Sequence, residues 1–369
     1  MNSATYIIGQ LVLGGAEKQL YLLIKGLVSR GWKINVINLH GGHGDFWEGP
    51  IRELGVTVFE VTSTNRIKKF FQIFKFIKKN PTQIFHSWST YTGLYAIFTS
   101  YLTKTKLTLT SQRSIENYII SDLGFFLYWV NYIAFKGIST NSYVGQNELA
   151  RRFPKSIIRY IPNGIDISKK NVEYSCNDLR EKFSIPKDLF VVGSIGTLFQ
   201  TKRFDKLIDS VGLLQLDKIN CGLVIIGDGP LFQMLIERAK RKLSPGTYFF
   251  LGSINSASDY LNLFDVFCLS SEFEGTPNVI MEALASGLPV VASDVGDVKT
   301  LIEHEATGLI SFNNHPEEIA NNIKRLFFDR NLRKKLSNAG KNKILAEYNS
   351  EFMVEKMINF YQEMERLNK

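Results

Sequence analysis

The chain is poor in cysteine, with only Cys176, Cys221 and Cys268 among 369 residues, scattered and odd in number. That excludes a disulfide framework of the kind that holds small secreted domains together, and none of the three has zinc-ligand spacing. Two of them fall in apolar, strand-like runs and read as reduced structural thiols, which points to the cytosol. Long hydrophobic runs are missing as well. A spanning helix needs about eighteen uncharged apolar residues or more, and the nearest stretch, 125–135, is too short. Near the amino terminus Gly14, Gly15, Glu17 and Lys18 interrupt the apolar run before it reaches signal length. Low-complexity tracts are absent, and no ordered nucleic-acid motif is visible, so nucleic acid is not an expected partner. Neither glycine loop shows Gly-x-Gly-x-x-Gly with an acid about twenty residues on, which argues against a dinucleotide-dependent oxidoreductase.

What is present is a globular composition, 44% hydrophobic, at a length that favours two domains. Short apolar runs alternate with helical patterns throughout. In the first half, strands are expected within 5–13, where the first is short, and at 34–39, 56–61, 83–86, 107–111, near 138 and at 157–161. Helices fall between them, one opening at Gly14-Gly15-Ala16-Glu17. A second alternating series starts at Phe190, and three helices close the chain. Strands alternating with helices predict parallel, doubly wound sheets. The turn-rich Ile161-Pro162-Asn163-Gly164-Ile165-Asp166 marks the junction. The division expected is 1–163, 164–350, and a terminal helix 351–369 that crosses back to the first domain.

The net charge of +9, from 44 basic and 35 acidic residues, means anionic ligands, anionic membrane or nucleic acid. Residues 66–79 carry six positive charges, four phenylalanines and no acid. Ile67, Phe70, Phe71, Phe74 and Ile77 predict an apolar stripe that covers the sheet, with Lys68, Lys75 and Lys79 opposite. The aromatic run 118–135 reads equally as a buried helix or as an interfacial one. Together these stretches suggest an anionic membrane surface as a partner.

The most informative segment is Ser270 to Ser293. A buried strand ends at two serines, an acidic loop bearing Glu274 follows, and Pro277-Asn278 opens a helix that carries Glu282 and stops at Gly287. A loop at the carboxyl end of a parallel strand is where ligands bind in open sheets. The series Glu274-Gly275-Thr276-Pro277-Asn278-Val279-Ile280-Met281-Glu282, then Ser286-Gly287-Leu288-Pro289, resembles the retaining nucleotide-sugar glycosyltransferases of family four. Gly14-Gly15-Ala16-Glu17, Asn163-Gly164-Ile165-Asp166, Lys202 and Gly227-Asp228-Gly229-Pro230 extend the resemblance over nearly the whole chain.

The resemblance implies an α/β, GT-B architecture: two facing Rossmann-like doubly wound domains with a cleft between them. It implies transfer of a sugar from a nucleotide diphosphate sugar, with a UDP-sugar as the expected donor and no metal or other cofactor. The acceptor would be a hydroxyl of a lipid-linked saccharide or other glycan in cell-surface polysaccharide synthesis, at the inner face of the plasma membrane. Glu274 would act on the donor sugar, Glu282 on the ribose, and Lys202 on the diphosphate. Gly275, Thr276 and Pro277 would lie against sugar and phosphate, Gly15 would offer a backbone N–H to phosphate, and Gly229 would border the nucleoside. His86 matches a histidine that relatives use against the donor sugar, with Trp88 where a second histidine is common. Arg113, at a strand end, suits a phosphate or a surface ion pair equally. One position departs: Thr197 stands where the family has an arginine, so either Arg203 substitutes or fewer charges hold the diphosphate. A phosphorylase, a nucleotide-sugar epimerase or a non-catalytic binding protein of the same fold is the alternative.

Overall fold

Strands that are apolar at successive positions, rather than at alternate ones, need cover on both faces, and helices supply it here. A computed structural model describes residues 2–41, 45–113, 125–166 and 175–368. They fall into two compact units, Met1–Asp166 with Asn349–Lys369, and Ile167–Tyr348.

The first unit holds β1 (Ser3–Ile8), β2 (Lys33–Asn38), β3 (Thr57–Glu60), β4 (Ile84–Ser87), β5 (Leu107–Gln112), β6 (Gly137–Thr140) and β7 (Ile157–Tyr160). All pair in parallel, in the order β3-β2-β1-β4-β5-β6-β7. The order reverses between β1 and β4, so a crevice opens at their carboxyl ends. The last helix, Ser350–Leu367, belongs to this unit, and its Met353, Val354, Met357, Phe360, Tyr361 and Met364 share one core with Leu20, Leu23 and Leu27 of helix Gly15–Ser29. Gly26 makes that packing possible, because a Cβ there would lie 2.5 Å from Val354 Cγ2.

The second unit holds β8 (Phe190–Ile195), β9 (Cys221–Ile226), β10 (Tyr248–Phe250), β11 (Val266–Leu269), β12 (Val290–Ser293) and β13 (Leu309–Ser311). They too are parallel, in the order β10-β9-β8-β11-β12-β13, with the reversal between β8 and β11.

Two details differ from the expectations. Short helices at Glu48–Glu53 and Cys176–Lys182 were not anticipated. The second had a legible signal, a Ser175-x-x-Asp178 capping box in which each side chain bonds the other's backbone N–H. The basic helix Arg66–Lys79 is also turned from its expected setting. Its buried stripe is Lys69, Ile73 and Ile77, one turn apart, while Ile67 and Phe71 are exposed. Lys69 Nζ reaches inward to the Leu39 carbonyl at the end of β2, 3.1 Å away, and burial holds its pKa down. In the aromatic run, 118–124 lie outside the described residues. Helix Phe125–Ile133 buries Tyr128 and Tyr132 and exposes Val130 and Ile133. No helix among the described residues is long and apolar enough to cross a membrane.

Candidate functional site

In the second unit the reversal of strand order brings the loop after β8 beside the loop after β11. Two hydrogen bonds fix that approach: Glu272 N–H donates to the Thr201 carbonyl at 2.8 Å, and Ser270 Oγ donates to the Lys202 carbonyl at 3.0 Å. With the two loops tied, Lys202 Nζ meets Glu274 Oε1 at 2.7 Å, and Ser271 Oγ donates to the same oxygen at 2.6 Å. The side chains are 28% and 10% exposed, so the pair is shielded yet open on one side. Helix Asn278–Ser286 starts directly behind, with Pro277 at its cap and Glu282 half-buried in its second turn. Gly275 borders open space, since none of the described residues lies within 4 Å of where a side chain would project. A cation, a carboxylate and a helix amino end therefore converge on one crevice, an arrangement suited to an anionic ligand with hydroxyls.

The neighbouring loops close around this point. Leu198 N–H donates to the Asp228 carbonyl at 2.9 Å, and Gly229 N–H donates to Asp228 Oδ1 at 2.7 Å, so the loop bearing Gly229 is bound to the one leading to Lys202. Gly227 N–H donates to the Gly252 carbonyl at 2.8 Å and adds the end of β10. Thr276, by contrast, turns inward: it is 7% exposed and its hydroxyl donates to Asp297 Oδ2 at 2.8 Å. Arg203 is also occupied. It chelates Asp205 through Nε and Nη2 at 3.0 and 2.9 Å and lies 3.5 Å from Glu272, partners that raise its pKa. Thr197 is exposed.

In the first unit, helix Gly15–Ser29 opens at the crevice between β1 and β4, with Gly15 exposed in its first turn. The same turn carries Glu17, whose pKa is raised by burial. His86 is in a different setting. It is 0% exposed, with Nδ1 2.7 Å from Tyr361 Oη and Nε2 2.9 Å from Ser111 Oγ. Tyr361 Oη also lies 2.7 Å from Tyr6 Oη, and Ser111 Oγ lies 2.6 Å from Ser139 Oγ. Burial pushes the His86 pKa down to about 3, with the Arg113 charge assisting, so the ring is neutral. Both ring nitrogens are taken by side chains of its own unit, and the ring serves as a buried connector between strands and the last helix.

Arg113, just beyond β5, has its Cζ over the Trp88 ring, 4.0 Å from the centroid, and donates from Nη1 to Asn163 Oδ1 at 3.1 Å. Burial pushes its pKa down to about 9, and its Nε and Nη2 are buried without a hydrogen-bond partner among the described residues. Trp88 is itself fully buried and donates from its indole N–H to the Ala16 carbonyl at 2.9 Å.

Comparison with known proteins bears on the family and the fold. The model for glycosyl transferases group 1 matches residues 176–343, and that for glycosyltransferase family 4 matches residues 13–169. An uncharacterized glycosyltransferase of Methanocaldococcus jannaschii is 26% identical over 57% of this chain, an alignment that spans about half of that relative, 55% of its length. An Escherichia coli UDP-Gal:alpha-D-GlcNAc-diphosphoundecaprenol alpha-1,3-galactosyltransferase is 24% identical over 96% of this chain and 95% of its own. Among solved structures, Anabaena HepE in complex with UDP and glucose is similar with a TM-score of 0.86 at 17% identity, covering 98% of this chain and all of that one. The fold is thus of the GT-B kind, built from two Rossmann-like domains.

Proposed function

Because the chain belongs to glycosyltransferase family 4, we propose that it moves a sugar from a nucleoside-diphosphate sugar, a UDP-sugar foremost, to an acceptor hydroxyl. The anomeric configuration is retained and no metal takes part. The observation that carries this reading is the Lys202–Glu274 pair at the crevice where β8 and β11 diverge, backed by the start of helix Asn278–Ser286.

Charge accumulates on the departing diphosphate as the sugar bond breaks, and Lys202 with the helix amino end stabilises it there. Glu274 faces the sugar and supports the positive charge that develops at its anomeric carbon. The acceptor attacks from the side the diphosphate leaves, and a phosphate oxygen takes the acceptor's proton. Glu282 accepts hydrogen bonds from the ribose hydroxyls, as acids do in dinucleotide sites. The loop bearing Gly229 borders the nucleoside, and Gly275 with Pro277 leaves room for the sugar and phosphate. In the first unit Gly15 offers a helix amino end to a phosphate.

The acceptor in this reading is a lipid-linked saccharide, as in the E. coli relative's name. The protein then works at the inner face of the plasma membrane. Helix Arg66–Lys79 presents Lys68, Lys75, Lys78 and Lys79 together with exposed Ile67 and Phe71, and helix Gly93–Thr103, packed beside it, exposes Phe98, Tyr101 and Leu102. Cations interleaved with aromatics fit an anionic bilayer surface.

The test offers UDP-, GDP- and ADP-sugars with a polyprenyl-diphosphate saccharide acceptor, in the presence of a chelator. The expected result is nucleotide release with a product whose anomeric proton coupling matches the donor's. No release with any donor would reject the reading, and an inverted product would reject its stereochemistry.

A further inference from the structure

The loop that carries Glu274 is braced from behind by the turn after β12, and Asp297 of that turn bonds it twice. Asp297 is 1% exposed, and burying a carboxylate is costly unless it is well bonded. Its Oδ2 accepts the Thr276 hydroxyl at 2.8 Å, while its own N–H donates to the Gly275 carbonyl at 3.0 Å. The two bonds run in opposite directions and clamp residues 275 and 276 between them. Asp297 is fixed in turn, since its carbonyl accepts Thr300 Oγ1 at 2.8 Å and Thr300 N–H at 3.0 Å. The preceding residue completes the brace. Gly296 has φ +51°, and a Cβ on it would lie 2.2 Å from the Glu274 carbonyl oxygen. The turn therefore presses directly on the backbone of Glu274 and admits no side chain at that point.

We propose that Asp297 is a positioning residue: through Thr276 and Gly275 it holds the loop that aims Glu274, and so sets the rate of sugar transfer rather than the affinity for the donor. The claim about rate rests on the function proposed above; the claim that Asp297 fixes the loop does not. A carboxylate displaced by a fraction of its reach still binds but no longer meets the developing charge, and small misplacements cost catalysis out of proportion to binding.

Two measurements test it. In the unliganded protein, hydrogen–deuterium exchange of the peptide covering 272–281 is compared between wild type and Asp297→Ala. Faster exchange confined to that peptide is expected, and unchanged exchange there would overturn the inference whatever the protein's activity. Turnover is then measured with the sugar nucleotide that wild type releases fastest. Asp297→Ala and Thr276→Val are expected to lower kcat by about 10- to 100-fold with KM nearly constant. Thr276→Ser, which keeps the hydroxyl, stays near wild type. Equal kcat in wild type and Asp297→Ala, or a loss in Thr276→Ser as deep as in Thr276→Val, would overturn it. A wild type that turns over no donor defeats the proposed function and leaves the exchange result to decide the brace.

Discussion

Replacing Tyr361 by phenylalanine removes a single oxygen from the centre of the first unit. That oxygen lies 2.7 Å from both Tyr6 Oη and His86 Nδ1, and all three side chains are buried. The ring volume is unchanged, so no cavity forms. The cost is two hydrogen bonds and two partners left in the core without them, at about 1–3 kcal/mol per orphaned group. His86 keeps its other bond, to Ser111, and a change of tautomer can soften its loss. A net destabilisation of about 2–4 kcal/mol follows, which for a unit of 150–250 residues lowers Tm by roughly 4–16 °C. Differential scanning calorimetry of Tyr361→Phe gives the shift directly. If donor affinity, measured below the new Tm, stays within about twofold of wild type, the His86 chain is a support and not a substrate contact. A Tm change under 1 °C would refute the reasoning, as would a loss of donor binding without loss of stability.

Other consequences follow from the same geometry. Gly26→Leu forces the last helix off helix Gly15–Ser29 at Val354 and should destabilise the first unit by about 1–3 kcal/mol, read from urea unfolding; an unchanged midpoint would show that the helix is not seated there. Lys202→Met leaves Glu274 with Ser271 and should slow transfer by about 10²–10³-fold, so a rate within threefold of wild type would remove Lys202 from the site. His86 has a folded pKa of about 3, below the ordinary histidine value, so the unfolded chain takes up a proton first. Stability present above pH 6.5 is therefore lost as pH falls from there toward 3, and His86→Gln should flatten that part of the stability curve; identical slopes in both proteins would contradict the assignment. Charge reversal at Lys68, Lys75 and Lys79 should abolish cosedimentation with phosphatidylglycerol vesicles at low salt, each exposed lysine being worth about 1 kcal/mol near such a surface.

The alternation of strands and helices was legible because buried parallel strands are apolar at successive positions, as in Cys221–Ile226, where every residue is buried. The Glu274 loop was legible too, since a strand, two serines, a short loop and Pro277 appear in sequence as a ligand loop at a strand end. What escaped depends on distant partners. His86 stands at the end of a strand-like run in the sequence, but its setting depends on Tyr361, 275 positions away. Lys69 lies in a run of basic residues, and what draws it inside is the carbonyl at the end of β2, 30 positions away. Asp297 sits in a polar loop with nothing in its neighbourhood to show that it would be buried beneath Thr276. A sequence shows which face of an element is apolar, but the pairing of polar groups at a site is decided by which loops the sheet order brings together.

The central claim, that the second unit holds a nucleotide through Lys202, Glu274 and Glu282, is tested most directly by titrating UDP into wild type and Glu282→Ala by calorimetry. A hydrogen bond to a charged group is worth about 1.5–3 kcal/mol, so the variant is expected to bind one UDP roughly 10- to 100-fold more weakly than wild type. Equal affinity in the two proteins, or no saturable binding of UDP to wild type, would contradict the account.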